Sequence, residues 1–241
     1  MRDARDGIAP APVAAIPSPR GRMTRKRTIL VSIQLLTATM SEGSPSRLPT
    51  EARQAEIVAA ALHLASETSP PLITTAEIAA VVGVSQGAVF KHFSSKDAIW
   101  VAVMSWVRAQ LLAALEAAAG GAGRPLAALE AVFRAHLRFV VTYPGVPRVI
   151  FHELQNPQDT AVKREVRALL QAYRRLLLQL LDDAAQRGDL AADVDHDAAA
   201  TLFVGTVQGL VMQSMTAGKP TSVKLRADQV YAIFLRGIRQ T

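Results

Sequence analysis

The stretch "TTAEIAAVVGVSQGAVFKHFSSKDAIW", residues 74–100, contains signals for two short helices in close succession. Thr74 and Glu77 have the spacing of a capping box, in which each side chain bonds the other residue's backbone N–H at a helix N-terminus. Gly83 tolerates the left-handed conformation that ends a helix, and Ser85 is a good N-cap for the next one. Two short helices joined by a tight turn with glycine are typical of a helix-turn-helix motif.

The second helix is predicted to present a largely polar surface. We expect its outward residues to be Gln86, Gly87, Phe90, Lys91 and His92. Gln86 is suited to bond adenine through both amide atoms, and Gly87 lets the backbone approach a groove closely. Lys91 and His92 would meet phosphates. For any single residue a solvated helix surface is the commoner explanation, but the two caps, the glycine turn and the basic side chains together favour DNA binding.

The residues after the motif predict a second contact with the DNA backbone. Ser94 or Ser95 is placed to cap the next helix, with Asp97 near capping-box spacing. Free N–H groups at a helix N-terminus attract anions, and Lys96 adds a positive charge at the same place. We therefore predict a phosphate clamp where the long apolar helix begins.

The segment "IAAVVGVSQGAVFKHFSSKDAIW" resembles the tetracycline-repressor (TetR) family of transcriptional regulators, and the likeness covers roughly residues 50–110. The resemblance implies an all-α fold, with a three-helix DNA-binding head in residues 50–95, its helix-turn-helix in residues 74–93, and a ligand-binding and dimerisation domain in residues 96–241. The DNA contacts predicted here are Thr75, Ser85, Gln86, Gly87, Phe90, Lys91, His92 and Lys96. Phe90 stands where the family usually has Tyr, and Ala88 where Thr or Ser is common, so both positions offer fewer hydrogen bonds to DNA.

Residues 1–49 are rich in Pro, Ala, Arg and Ser, and we predict that they are disordered. They hold eight basic and three acidic residues, and therefore contribute +5 of the net charge of +7. Three interpretations of this leader remain open: an export signal, a basic arm that follows DNA backbone, and a segment absent from the cell because synthesis starts at Met40. We favour the last, which the N-terminal mass of the native protein would test.

From Thr50 onward the apolar residues recur with helical period, which predicts an all-α fold of about nine helices. No segment alternates apolar and polar residues as a strand would, and no phosphate-binding glycine motif is present. The absence of cysteine and the scattered histidines predict no metal site and no cofactor. These features also fit a cytoplasmic protein.

Residues 133–154 concentrate aromatic and histidine side chains around a Pro-Gly break. Apolar walls with a few polar groups are typical of ligand pockets, although ordinary core packing explains the same residues equally well. The predicted pocket residues are Phe133, His136, Tyr143, Phe151 and His152. The ligand class that such a pocket predicts is a small apolar or amphipathic effector.

Residues 198–217 form an uncharged run that is long enough to cross a membrane. Its glutamines and threonines argue against a span, while Gly205 and Gly209, four residues apart, permit close helix approach. We predict a homodimer in which these glycines and Phe234 form a helix-pair interface. The alternative is a helix buried at the centre of its own domain.

These observations predict a homodimeric repressor that binds double-stranded DNA at a pseudo-palindromic operator and is released by an effector. Coupling between the two domains is expected to run through the helix that begins after Ser95. A regulator without a small-molecule effector, or an activator, is the alternative within DNA binding. An enzyme is disfavoured, because the sequence offers no catalytic grouping of carboxylates, histidine and serine.

Overall fold

The computed structural model describes residues 50–217 and 222–240. Within them the chain forms nine α-helices and no strand, apart from an isolated bridge between Leu190 and Arg239, so the predicted all-α fold is confirmed. The helices are α1 Thr50–Glu67, α2 Thr75–Val82, α3 Gln86–Phe90, α4 Lys96–Gly120, α5 Pro125–Thr142, α6 Gly145–Gln155, α7 Ala161–Gln186, α8 His196–Thr216 and α9 Ser222–Ile238. The interpretations of the leader, residues 1–49, lie outside the described residues.

We call residues 50–95 the head and the described residues from 96 onward the body. In the head, α1 buries the face that carries Ile57, Ala60 and Ala61, which follows from their helical spacing. The paired prolines after α1 cannot continue that helix and instead form a 3-10 turn, Pro70–Leu72. Ile78 of α2 is fully buried beside α1, so the motif is anchored on the first helix.

The body is a bundle of longer helices around α4, which packs against α1, α5 and α7. The helix α8 lies against α7, α5 and α9. Four aromatic rings stack at this end of the bundle, with centroids 5.1 to 5.6 Å apart between successive rings, and they are Tyr231, Phe133, Phe203 and Phe234. This aromatic cluster fixes α9 against α5 and α8.

Head and body meet most closely where α6 crosses α1. A Cβ atom added to Gly145, the first residue of α6, would lie 2.3 Å from the carbonyl oxygen of Leu62 and 3.1 Å from the backbone nitrogen of Ser66. Real Cβ atoms do not approach other atoms so closely, so glycine is required here for the approach of the two backbones. The close approach of α6 to α1 therefore depends on a residue without a side chain.

Among the residues that the structure describes, two helices, α4 and α8, are long and apolar enough by length and composition to cross a membrane. Both are helices of the bundle and pack against neighbouring helices of the same chain. The buried helices of a helical bundle meet the same criterion, so this finding is weak evidence for a membrane protein.

Candidate nucleic-acid interface and ligand cavity

The two helices of the motif are bounded by the predicted caps. At the start of α2 the Thr74 hydroxyl accepts from the backbone N–H of Glu77 at 3.2 Å, and the Thr74 N–H donates to the Glu77 carboxylate at 2.7 Å. Gly83 ends this helix with φ of 80°, and the Ser85 side chain accepts from the N–H of Ala88 at 3.2 Å. The capping box, the left-handed glycine and the second cap are therefore confirmed.

Most of the predicted reading surface lies on the outside of α3. Gln86, Gly87, Phe90 and Lys91 are exposed, and Phe90 keeps 47% of its surface open to solvent. Val89, on the opposite side of the helix, is fully buried and holds α3 against the head. The exposed ring of Phe90 shares the outer surface of α3 with the amide of Gln86 and the ammonium of Lys91.

Thr75 is placed differently from the other predicted contacts. Only 8% of its surface is exposed, and its hydroxyl accepts a hydrogen bond of 2.7 Å from Nε2 of Gln86. This bond joins α2 to α3 and fixes the amide of Gln86, leaving the amide oxygen and one N–H for another partner. Thr75 is thus suited to orient Gln86, a role that its position in the sequence did not indicate.

His92 is half-buried and does not project fully outward as expected. Its Nδ1 atom is buried without a hydrogen-bond partner among the described residues, and its carbonyl accepts from Nε2 of Gln54 at 3.2 Å. The residue therefore ties the end of the motif to α1. A phosphate contact from His92 stays a prediction, and it is restricted to the other ring nitrogen.

The helix cap that was expected at the phosphate clamp is present at the start of α4. Ser95, not Ser94, caps α4, because its hydroxyl accepts from the N–H of Ala98 at 3.1 Å. The ammonium of Lys96 donates to the carbonyl of Pro71 at 2.8 Å, at the edge of the 3-10 turn. Hydrogen bonds from the backbone and hydroxyl of Thr74 lower the pKa of Glu77, and Lys96 lowers it further.

The body contains a cavity of about 60 Å³ between α4, α5, α6, α7 and α8. His136 and Phe151, two of the five predicted pocket residues, line it. The other lining residues are apolar except for Tyr173 and Gln208. Sequence reasoning missed both of these, since Tyr173 falls on the apolar face of α7, where a side chain is expected to pack in the core. Gln208, a lone amide in the apolar run of α8, was a usable signal.

One hydrogen bond crosses this cavity wall. Nδ1 of His136 lies 3.2 Å from the hydroxyl oxygen of Tyr173, and the two rings meet edge to face with centroids 5.3 Å apart. Burial lowers the pKa of His136 to about 4 and raises the pKa of Tyr173. Both side chains are therefore neutral near pH 7.

The remaining predicted pocket residues lie elsewhere. Phe133 belongs to the aromatic cluster, and Tyr143 packs edge to face on Trp106 with centroids 5.1 Å apart, so neither lines the cavity. His152 lines a separate cleft of about 560 Å³ between the head and the body, with Lys96 and Glu153. The helical period of α6 explains the difference, because His152 is adjacent to Phe151 and points to another side of the helix.

Some of the predicted dimer residues lie on the surface, and one lies in the core. Gly205 is exposed and Gly209 partly exposed on α8, with no atom within 4 Å of a Cβ added at either. Phe234 is only 4% exposed and lies in the aromatic cluster, so it packs within its own chain rather than on the surface. Other exposed apolar residues share the surface of α8 and α9 with the glycines, and they are Leu202, Met212, Met215 and Ile233.

The sequence of the described chain matches two parts of one family. Residues 57–103 match the bacterial regulatory proteins of the tetR family, and residues 122–238 match the tetracyclin repressor-like C-terminal domain. The chain belongs to the TetR family of transcriptional regulators. Its members bind DNA, so the DNA-binding class expected for this chain is confirmed, and nothing in the family points to an enzyme.

The chain is similar to the nucleoid occlusion factor SlmA of Shewanella amazonensis. The two sequences are 26% identical over 148 residues, which cover 61% of this chain and 75% of that protein. Among solved structures, the fatty acid degradation regulator FadR from Bacillus halodurans has a TM-score of 0.70 at 17% identity, over 83% of this chain and 100% of that one. FadR from Bacillus subtilis in complex with stearoyl-CoA has a TM-score of 0.68 at 18% identity, and the match covers 76% of this chain and 98% of that one. These structural likenesses show a shared fold.

Proposed function

We propose that this TetR-family regulator is a homodimeric repressor in the cytoplasm, and that a small apolar ligand releases it from a pseudo-palindromic operator. The observation that carries the proposal is the arrangement of three parts in one chain. A capped helix-turn-helix presents an open polar surface, an apolar cavity lies in the body, and α6 contacts both the cavity and the head.

Reading of the operator is assigned to α3 in the major groove. Gln86, oriented by Thr75, has the donor and acceptor that adenine requires, and the exposed ring of Phe90 suits the methyl group of thymine. Lys91 and Lys96, with the N-terminus of α4, would hold phosphates on the two sides. Lys96 would have to exchange its bond with Pro71 for a phosphate oxygen.

Dimerisation is assigned to the exposed apolar surface of α8 and α9. Leu202 is 57% exposed and Ile233 is 61% exposed, which is costly unless another protein surface covers them. Gly205 and Gly209 lie on the same helix and permit close approach of a symmetry-related α8. Two heads in one dimer would then meet successive major grooves, which is why the operator should be pseudo-palindromic.

Release is assigned to α6, in addition to the α4 route expected from the sequence. Val146, Pro147, Ile150 and Phe151 of α6 line the cavity, while Gly145 at its start touches the backbone of α1. We assign the widening of the cavity by a ligand to a displacement of α6, and at Gly145 this helix has no free space against α1. The head would then shift relative to its partner's head, so that both no longer fit the operator.

The solved relatives support a ligand-responsive body without naming a ligand for this chain. FadR from Bacillus subtilis was crystallised with stearoyl-CoA, so a protein of this fold holds a ligand with a long acyl chain. The cavity of about 60 Å³ is much smaller than the roughly 300–1,000 Å³ of typical ligand sites. Ligand entry would therefore require the helix displacement described above.

The test of DNA reading compares two double variants on an operator selected from random duplexes. Lys91→Ala/Lys96→Ala removes two predicted phosphate contacts, while Arg138→Ala/Arg175→Ala removes the same charge from exposed positions of the body. We expect the first variant to lower the slope of log affinity against log salt by about 2, and the second to leave it unchanged. Equal slopes in all three proteins would contradict the assignment.

A second candidate function is a regulator without a small-molecule effector, and the small volume of the cavity is the observation that favours it. Thermal unfolding of the full chain in a panel of metabolites distinguishes the two. Stabilisation by an apolar compound that also dissociates the operator complex supports the ligand-released repressor. Uniform absence of stabilisation supports the second function.

A further inference from the structure

The cavity in the body has one polar corner in an otherwise apolar wall. That corner is the hydrogen-bonded pair of His136 and Tyr173, and Tyr173 is only 1% exposed. Gln208 is the other polar residue that lines the cavity, and it is also exposed on the outer surface of α8. The lining of the cavity, within the described part of the chain, contains no Asp, Glu, Lys or Arg.

The buried hydroxyl decides which nitrogen of His136 carries the proton. A buried phenol O–H needs an acceptor, since an unpaired one loses its hydrogen bond to water without replacement. For Tyr173 the acceptor in the described structure is Nδ1 of His136. A neutral imidazole whose Nδ1 accepts must carry its hydrogen on Nε2. Nε2 of His136 is therefore a hydrogen-bond donor that no residue in the described part of the chain engages.

We propose that the His136–Tyr173 pair selects an uncharged ligand with a slender apolar body and one acceptor oxygen, such as a ketone or an ester. Nε2–H of His136 donates to that oxygen while Tyr173 holds the ring in the donating tautomer. The proposal rests on the proposed ligand-binding function of the same cavity, and it names the ligand class. It also excludes the carboxylic acids that an apolar pocket would otherwise accept.

Charge is the reason for the exclusion. A carboxylate transferred from water to an apolar site without a paired cation loses far more hydration than one hydrogen bond restores. Burial keeps the pKa of His136 at about 4, so the imidazole is neutral near pH 7 and offers no positive charge. The apolar walls offer no other cation among the residues that line the cavity.

The experiment uses 2-octanone and octanoate, two probes of equal chain length that differ in head-group charge. Their dissociation constants are measured by titration calorimetry on the full chain at pH 7.5. We expect 2-octanone to bind at least 10-fold more tightly than octanoate. Equal binding, tighter binding of octanoate, or no measurable binding of either probe would overturn the proposal.

Three variants separate recognition from packing. His136→Phe keeps an aromatic ring but removes the donor, and is expected to weaken 2-octanone binding about 2- to 12-fold. Tyr173→Phe no longer fixes the tautomer of His136, and it is expected to weaken 2-octanone binding by a smaller factor. Phe151→Leu is a control elsewhere on the same wall, and it should change the dissociation constants of both probes by the same factor. Unchanged ketone binding in His136→Phe would also overturn the proposal.

The ligand class and the regulatory function fail in distinguishable ways. If 2-octanone binds with the expected preference but does not dissociate the operator complex, ligand release is wrong and the assignment of the cavity stands. If octanoate and 2-octanone dissociate the complex equally well, the regulatory function stands and the ligand class is wrong.

Discussion

The head and the body of this protein are stabilised by different kinds of interaction. In the head, α2 and α3 have eight and five residues, lengths that are marginal for a helix alone, and side-chain caps satisfy their end groups. In the body, α4 and α7 have 25 and 26 residues and bury apolar side chains along their length. The orientation of α2 and α3 therefore depends on single hydrogen bonds as well as on the buried Ile78 and Val89, whereas the body depends on the volume of its core.

The same substitution should therefore have opposite consequences in the two regions. Phe133→Ala removes a 2% exposed ring from the aromatic cluster and should cost about 3–5 kcal/mol of the free energy of unfolding. Phe90→Ala removes a 47% exposed ring from α3, and should leave stability nearly unchanged while weakening operator binding. Urea unfolding and DNA titration of both variants measure the contrast. A small cost for Phe133→Ala would place this ring outside the core.

Acid should destabilise the body through the half-buried His136 at the cavity. The folded pKa of His136, about 4, lies below the model-peptide value of 6.5, so the unfolded chain binds more protons between these values. Stability from the neutral imidazole is complete above pH 6.5 and falls as the pH drops toward 4, by up to about 3 kcal/mol. We expect His136→Phe to lose less stability than the native chain over this range. Parallel pH curves would show that His136 does not contribute.

The contrast between the regions also explains what could be predicted from the sequence. Thr74, Gly83 and Ser85 act on residues at most four positions away, so the caps and the turn of the head were read from spacing alone. The cavity is formed by five helices, and its lining depends on how they pack. Phe133 and Phe151 have the same side chain and lie in adjacent helices, yet only their neighbours decide which one lines the cavity.

Substitution of Gly145 tests the junction between the two regions. Gly145→Ala places a methyl group 2.3 Å from the carbonyl oxygen of Leu62, so α6 and α1 must separate, at a cost of about 1–3 kcal/mol. Gly120→Ala is the matched control, because no atom lies within 4 Å of a Cβ there. Urea unfolding measures stability, and operator affinity reports the position of the head. If Gly145→Ala unfolds like the control, the junction is looser than the close approach implies.

The smallest of these effects lies in the head, at the start of α2. Thr74→Ala removes both hydrogen bonds that the hydroxyl makes with Glu77, one of which belongs to the capping box, and should cost about 1 kcal/mol of stability. Thr201→Ala, in the first turns of α8, removes only a bond to the carbonyl of Asp197 within the helix, and should be nearly neutral. Because α2 carries Thr75, and Thr75 holds Gln86, fraying of this helix should lower operator affinity as well as stability. A loss of stability with unchanged DNA binding would show that α3 keeps its orientation without α2, and that Gln86 is positioned by DNA rather than by the head.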